Sequence, residues 1–217
     1  MIDPGKGHFK AVVSRREPLS PSCVLLTIKR PRDFPDAQPG HFVSIRVAHS
    51  VDPLLRRPYS IMDLTSSELV LLVKVIGRGS ALLASREPGD ELDLIGPLGG
   101  TVFPEPEGRG AVMVAGGTGL APVLFAAKIW RNAKLDLVYG PACAEEILES
   151  IVHEGFASTH FATLDGSLGY HGDAVSLCAE LVDGGKVGGS CLYSCGPKGM
   201  VSALEAGLGK RFSEHYT

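Results

Sequence analysis

The chain has 217 residues, 44% of them hydrophobic and 21% charged, with 27 Gly, 15 Pro, 5 Cys and a formal net charge of −3. That length suits one large domain, or two of about 100 residues each with its own core, and the ordinary charge balance excludes intrinsic disorder. Basic residues cluster only in pairs such as Arg15-Arg16 and Arg56-Arg57, which together with the negative net charge argues against a nucleic-acid surface.

From the start, Met1 to Lys10 lacks the apolar core of a secretory signal, so a cytoplasmic protein is expected. Residues 9–14, 23–28, 41–47 and 68–76 then form short runs rich in β-branched side chains. Turn residues such as Pro39-Gly40 and Pro88-Gly89 punctuate them, the pattern of an antiparallel barrel or sandwich. One short helix is predicted over 80–85.

Beyond Pro104-Glu105-Pro106-Glu107-Gly108 the pattern changes. Strands are predicted at 111–115, 135–139, 159–163 and 190–194, and helices at 121–132, 143–153, 173–181 and 198–208. Strands alternating with helices imply right-handed crossovers and a parallel sheet. The fold class is therefore β followed by α/β: an antiparallel β-barrel domain over 1–104, then a parallel-sheet α/β domain over 105–217. The uncharged stretch 110–127 is long enough to raise a membrane span. Gly116-Gly117-Thr118-Gly119 and Pro122 break it, so a strand, loop and helix are expected instead.

Four segments carry chemistry. Gly116-Gly117-Thr118-Gly119 lies between a strand and its helix, where glycines let a pyrophosphate approach backbone N–H groups. It departs from G-x-G-x-x-G at Pro122 and lacks the Lys-Ser/Thr of a P-loop, so a plain glycine-rich turn stays open as an alternative. Arg56-Arg57-Pro58-Tyr59-Ser60-Ile61 combines a phosphate-binding cation, a ring able to stack on a flat cofactor, and a hydroxyl. Gly77-Arg78-Gly79-Ser80 opens the short helix as a second anion site. For Arg56-Arg57 the alternative is a solvated arginine pair before a strand. Cys195-Gly196-Pro197 ends the last predicted strand, on the sheet edge that also carries the Gly116–Gly119 loop.

Other combinations lead nowhere. Gly166-Ser167-Leu168-Gly169 with His171 and Asp173 hints at a hydrolase, but Asp165 stands where a nucleophile elbow needs glycine. The five cysteines (Cys23, Cys143, Cys178, Cys191, Cys195) are scattered, and neither they nor the seven histidines show complete metal-ligand spacing. No metal site is expected.

Taken in this order, the motifs resemble the ferredoxin–NAD(P)+ reductase superfamily over essentially the whole chain. Within it, the chain is similar to the electron-transfer subunits of class B, NAD-dependent dihydroorotate dehydrogenases. The resemblance is carried by Pro53-Leu54-Leu55-Arg56-Arg57-Pro58-Tyr59-Ser60-Ile61, Ile95-Gly96-Pro97-Leu98-Gly99, Thr163-Leu164-Asp165-Gly166-Ser167-Leu168-Gly169 and Cys195-Gly196-Pro197. Sulfide dehydrogenase and hydrogenase flavin subunits look alike.

That resemblance implies FAD in the barrel and NAD on the α/β domain. Arg57 and Pro58 would meet the FAD pyrophosphate, Tyr59 would pack on the flavin or ribityl chain, and Ser60 would lie near flavin N5. Val73, Lys74 and Val75 would run beside FAD, and Gly79-Ser80 would hold a phosphate. Gly116, Gly117, Thr118 and Gly119 would hold the NAD pyrophosphate, while Asp165, Cys195, Gly196 and Pro197 would face its ribose and nicotinamide. Ser60 and Cys195 are the candidates lining the reaction site. The family also carries a [2Fe–2S] cluster on a four-cysteine segment, which has no counterpart within residues 1–217. The implied function is electron transfer between FAD and NAD(H), serving dihydroorotate oxidation in pyrimidine biosynthesis with a partner catalytic flavoprotein subunit. The alternatives are a stand-alone NADH-dependent reductase and a non-catalytic docking subunit.

Overall fold

In the computed structural model, residues 7–48, 52–152 and 155–217 are described, in two units, Met1–Val102 and Phe103–Thr217. The amino-terminal residues 1–6 and the expected helix end at 153 lie outside the described residues.

The first unit is a closed barrel of β1 (Gly7–Ser20), β2 (Cys23–Lys29), β3 (Phe42–Arg46), β4 (Arg57–Leu64), β5 (Glu68–Lys74) and β6 (Glu91–Leu98), in the order β1-β2-β5-β4-β3-β6. All its pairings are antiparallel. The 14-residue β1 closes it by changing partner midway, with Gly7–Val12 on β6 and Val13–Ser20 on β2. Alternate residues point inward: Val43 and Ile45, then Leu69, Leu71 and Val73, are all fully buried. Both faces of β2 and β5 are apolar because helix α1 (Arg78–Ala84) packs on these two strands. The Arg16 guanidinium donates to the Ala84 carbonyl at 2.7 Å and so closes the far end of α1.

The second unit is a six-stranded parallel sheet in the order β10-β9-β8-β7-β11-β12. Its strands are β7 (Ala111–Ala115), β8 (Leu135–Tyr139), β9 (Ser158–Thr163), β10 (Tyr170–His171), β11 (Cys191–Cys195) and β12 (Glu214–Tyr216). β7 and β8 are buried throughout, as strands covered on both faces must be. Helices α4 (Ala174–Asp183) and α5 (Lys198–Leu208) cover Val112, Val114, Val138 and Leu192. The opposite face carries Tyr193, whose ring meets Trp130 just beyond helix α2 (Leu120–Ile129) at 5.2 Å. Among the described residues no helix is long and apolar enough to cross a membrane.

The structure departs from the sequence reading in specific places. The helix expected over 143–153 is a 3-10 turn (Ala144–Glu146) and a four-residue helix α3 (Glu149–Val152), separated by the buried Ile147 and Leu148. Four strands were not anticipated: β4, β6, β10 and β12. β4 contains Pro58 and β6 contains Pro97, residues that weaken a strand signal in sequence although the closed barrel accepts them.

Candidate functional site

In the barrel unit the chemistry gathers around the entry to β4. Arg56 directly precedes the strand and Arg57 opens it, and the two side chains take different partners. Arg56 donates through Nη2 to the Asp93 carboxylate (2.5 Å) and through Nη1 to the carbonyls of Asp93 (2.9 Å) and Ser44 (3.3 Å). Arg57 has no carboxylate partner among the described residues. Its Nη1 donates only to the carbonyls of Leu55 (2.9 Å) and Arg56 (3.2 Å).

The uncompensated Arg57 side chain lies over the first turn of α1. A Cβ added at Gly79 would come within 3.2 Å of Arg57 Nε, so glycine is what allows the guanidinium this close to the helix start. The first-turn N–H groups of a helix have no intrahelical acceptor, so a cation and free donors are brought together. The Ser80 hydroxyl is engaged locally. Its hydroxyl accepts from the backbone N–H of Ile76 (2.9 Å) and Gly77 (3.1 Å) and donates to the Gly77 carbonyl (2.9 Å), which commits it to shaping the turn. Only its backbone is left for a ligand.

Along the neighbouring strands, Tyr59 and Ser60 are half-buried and pair with Val43 and Phe42. Burial pushes the Tyr59 phenol above its ordinary value, against the opposing pull of the Arg57 charge. Pro58 is exposed. Val73 points into the barrel core and is fully buried, so only its backbone can meet a ligand. Lys74 and Val75 are half-buried beyond it, with the Val75 N–H donating to Ser22.

In the α/β unit the candidates sit at the carboxyl ends of β7, β8, β9 and β11. The strand order reverses between β7 and β11, where crevices open in sheets of this kind. Gly116 N–H donates to the Cys195 carbonyl at 2.9 Å. A Cβ on Gly119 would lie 2.0 Å from that same oxygen, so the two loops touch through backbone alone. Gly117 has φ +53°, a left-handed turn suited to glycine. Pro122 falls in the first turn of α2, where its missing N–H costs nothing. Met200 wedges beneath both loops: a Cβ at Gly116 would lie 2.9 Å from its sulfur, and one at Gly196 2.7 Å from its Cε. Pro197 closes on Gly116 from the same side. The sequence reading passed over Met200, which only the tertiary fold brings to the loops.

At the ends of β8 and β9, Ser167 donates twice to the Asp165 carboxylate (backbone at 3.0 Å, hydroxyl at 2.6 Å). These bonds hold the Asp165 carboxyl below its ordinary value. The Ala144 N–H donates to the Ser167 hydroxyl at 2.8 Å and ties this loop to the turn after β8. That turn carries Glu145, exposed, and Glu146, whose carboxylate accepts from the Ala142 N–H at 3.3 Å. Cys195 is half-buried, and burial raises its thiol pKa, so it stays protonated at neutral pH.

The cysteines do not fit an iron–sulfur centre. Cys143 follows β8, Cys178 lies inside α4, and Cys191 and Cys195 stand at opposite ends of β11. Among the described residues no three His, Cys, Asp or Glu side chains converge as metal ligands.

No protein-family model matches the chain. Among curated proteins, it is 38% identical over 174 residues to the dihydroorotate dehydrogenase B (NAD+) electron-transfer subunit of Bacillus caldolyticus, covering 77% of this chain and 66% of that one. The protein of the same name from Desulforamulus reducens is 36% identical over 188 residues, covering 81% and 70%. The chain thus spans just under two thirds of the length of the first of these relatives. Among solved structures, the ferredoxin reductase of carbazole 1,9a-dioxygenase superposes with a TM-score of 0.79 at 22% identity, over 100% of this chain and 70% of that one. The cytochrome b5 reductase domain of Ulva prolifera nitrate reductase gives 0.75 at 18% identity, over 97% of both. At such identities these two show a common fold.

Proposed function

Because the chain belongs to the family of dihydroorotate dehydrogenase B (NAD+) electron-transfer subunits, we propose that it passes electrons between FAD on its barrel unit and NAD(H) on its α/β unit. The reaction served is dihydroorotate oxidation in pyrimidine biosynthesis, carried out with a partner catalytic flavoprotein subunit. The observation that carries the reading is Arg57, a guanidinium with no carboxylate partner among the described residues that lies against the first turn of α1, which suits a cofactor diphosphate.

Bound FAD would supply hydride exchange with the nicotinamide and single-electron exchange with the partner. The chain's own residues bind and orient. Arg57 neutralises the diphosphate, with the backbone N–H groups of Gly79 and Ser80 as further donors. Pro58 and Tyr59 offer a flat, partly apolar wall, Ser60 a hydroxyl beside the reacting ring, and the backbone of Val73, Lys74 and Val75 runs alongside. In the α/β unit, Gly116, Gly117, Thr118 and Gly119 cradle the NAD diphosphate at the start of α2. Asp165 accepts from ribose hydroxyls, and Cys195, Gly196 and Pro197 leave room for the nicotinamide. Hydride exchange needs no protein acid or base, so neither Ser60 on the barrel unit nor Cys195 on the α/β unit transfers a proton.

NAD is favoured over NADP. Glu145, Glu146 and Asp165 present negative charge beyond β8 and β9, and residues 139–146 contain no arginine to clamp a 2′-phosphate. Anaerobic stopped-flow at the flavin band tests both halves of the proposal. NADH is expected to bleach the bound flavin clearly faster than NADPH at sub-saturating concentrations. Equal rates would overturn the NAD assignment, and bound FAD that NADH cannot bleach would overturn the hydride step and favour a docking subunit.

A further inference from the structure

Of the two adjacent arginines, the one without a ligand role holds an unusual position. Arg56 directly precedes β4 while Asp93 stands on β6, and β3 lies between those two strands, with Ile45 opposite Arg57 and Arg46 opposite Asp93. Two strand spacings amount to about 9.5 Å, a gap that an extended arginine side chain spans. Arg56 crosses it and anchors at three points, the Asp93 carboxylate and the carbonyls of Asp93 and Ser44.

Asp93 is the hub of this arrangement. Its side chain is 9% exposed, and the same carboxylate oxygen that takes Arg56 also meets His8 Nε2 at 2.7 Å, with Lys10 Nζ 3.9 Å from the other oxygen. A buried carboxylate so placed fixes the guanidinium bound to it, since letting go would leave a charge unpaired in a poorly solvated place. Fixing the Arg56 side chain also fixes its backbone. The Arg56 carbonyl is one of the two acceptors that hold the Arg57 guanidinium. A continuous chain of contacts therefore runs from the Asp93 carboxylate, through Arg56, to the cation over α1.

We propose that Asp93, acting through Arg56, is a positioning residue that sets the geometry of Arg57 for the cofactor diphosphate. This rests on the reading that Arg57 binds FAD. The division of labour explains why the motif has two arginines. A single arginine could not be neutralised by Asp93 and remain available to an anion as well.

The test is a double-mutant cycle on the full chain with FAD as probe, read by flavin fluorescence titration and by apo-protein melting. Asp93→Asn keeps the shape of the side chain and removes its charge. It is expected to weaken FAD binding about tenfold when Arg57 is present and less than about twofold in an Arg57→Ala background, because residues acting through one another are non-additive. The same factor in both backgrounds would mean a merely structural Asp93, and undiminished FAD binding in Asp93→Asn would equally overturn the proposal. Should Asp93→Asn not fold, Arg56→Lys probes the same link. It keeps a cation at Asp93 but loses the fork onto the two carbonyls, and its weakening of FAD should likewise vanish when Arg57 is absent. Failure of the underlying reading shows separately: Arg57→Ala alone would then leave FAD affinity unchanged.

Discussion

Arg57 and Cys178 show how far local surroundings set what a side chain can do. Charge-assisted hydrogen bonds contribute about 1.5–3 kcal/mol, so Arg57→Ala should weaken FAD binding roughly ten- to hundredfold. Retention of stoichiometric flavin by that variant through gel filtration would remove Arg57 from the site. Cys178 is fully buried in α4, and burial pushes its thiol up to about 12. The reactive form is the thiolate, so iodoacetamide at pH 8 should leave Cys178 unmodified in the native protein and label it only after unfolding, as peptide mass spectrometry would show. At this scale the sequence was legible where one residue type meets one ligand chemistry, as with Arg57. It was silent on Arg56, whose partner is 37 positions away and is chosen by the register of β3 against β6. Nor does the sequence say that the Ser80 hydroxyl bonds within its own turn, since a hydroxyl at a helix start looks the same in sequence whether it serves a ligand or the turn.

Elements make their own demands. The contact between Gly119 and the Cys195 carbonyl leaves no room for a methyl group. Gly119→Ala should cost on the order of 1–3 kcal/mol of stability through overpacking, lowering the urea midpoint, and should weaken NADH binding by prising the two loops apart. Helix α4 begins at Asp173, whose carboxylate accepts from the N–H groups of Val175 (2.8 Å) and Ser176 (2.9 Å). The Ser176 bond is the largest influence on its carboxyl, which is held below the ordinary value. A lowered folded pKa means the stabilisation is complete above the unfolded value and is lost as pH falls through the folded one. Asp173→Ala should therefore cost about 1 kcal/mol at pH 7 and distinctly less at pH 2, compared by urea unfolding at the two pH values. Elements were readable wherever the apolar period was uninterrupted, as in β7, α2 and β8. They were missed where tertiary partners override local signals: Pro58 within β4, Gly96-Pro97 within β6, and the short polar β12, which exists only because β11 offers it an edge.

The whole chain is two cores in sequence, and each unit should answer to its own ligand. FAD at a hundredfold excess over its dissociation constant adds about 2.7 kcal/mol to whatever binds it. Calorimetry with FAD is expected to raise the barrel transition, and NAD the α/β transition; FAD raising the latter alone would reverse the assignment. One feature of the two sheets bears on how the protein behaves in a crowded solution. The barrel has no free strand edge, and the parallel sheet ends in strands of two and three residues, β10 and β12. Long exposed edges invite pairing with other chains, and short ones deny it. β12 thus acts as a cover for Cys191, Leu192 and Tyr193, the buried first three residues of β11. Deleting residues 214–217 would uncover that strand as an apolar template, and light scattering should then rise with concentration while the full chain stays dispersed.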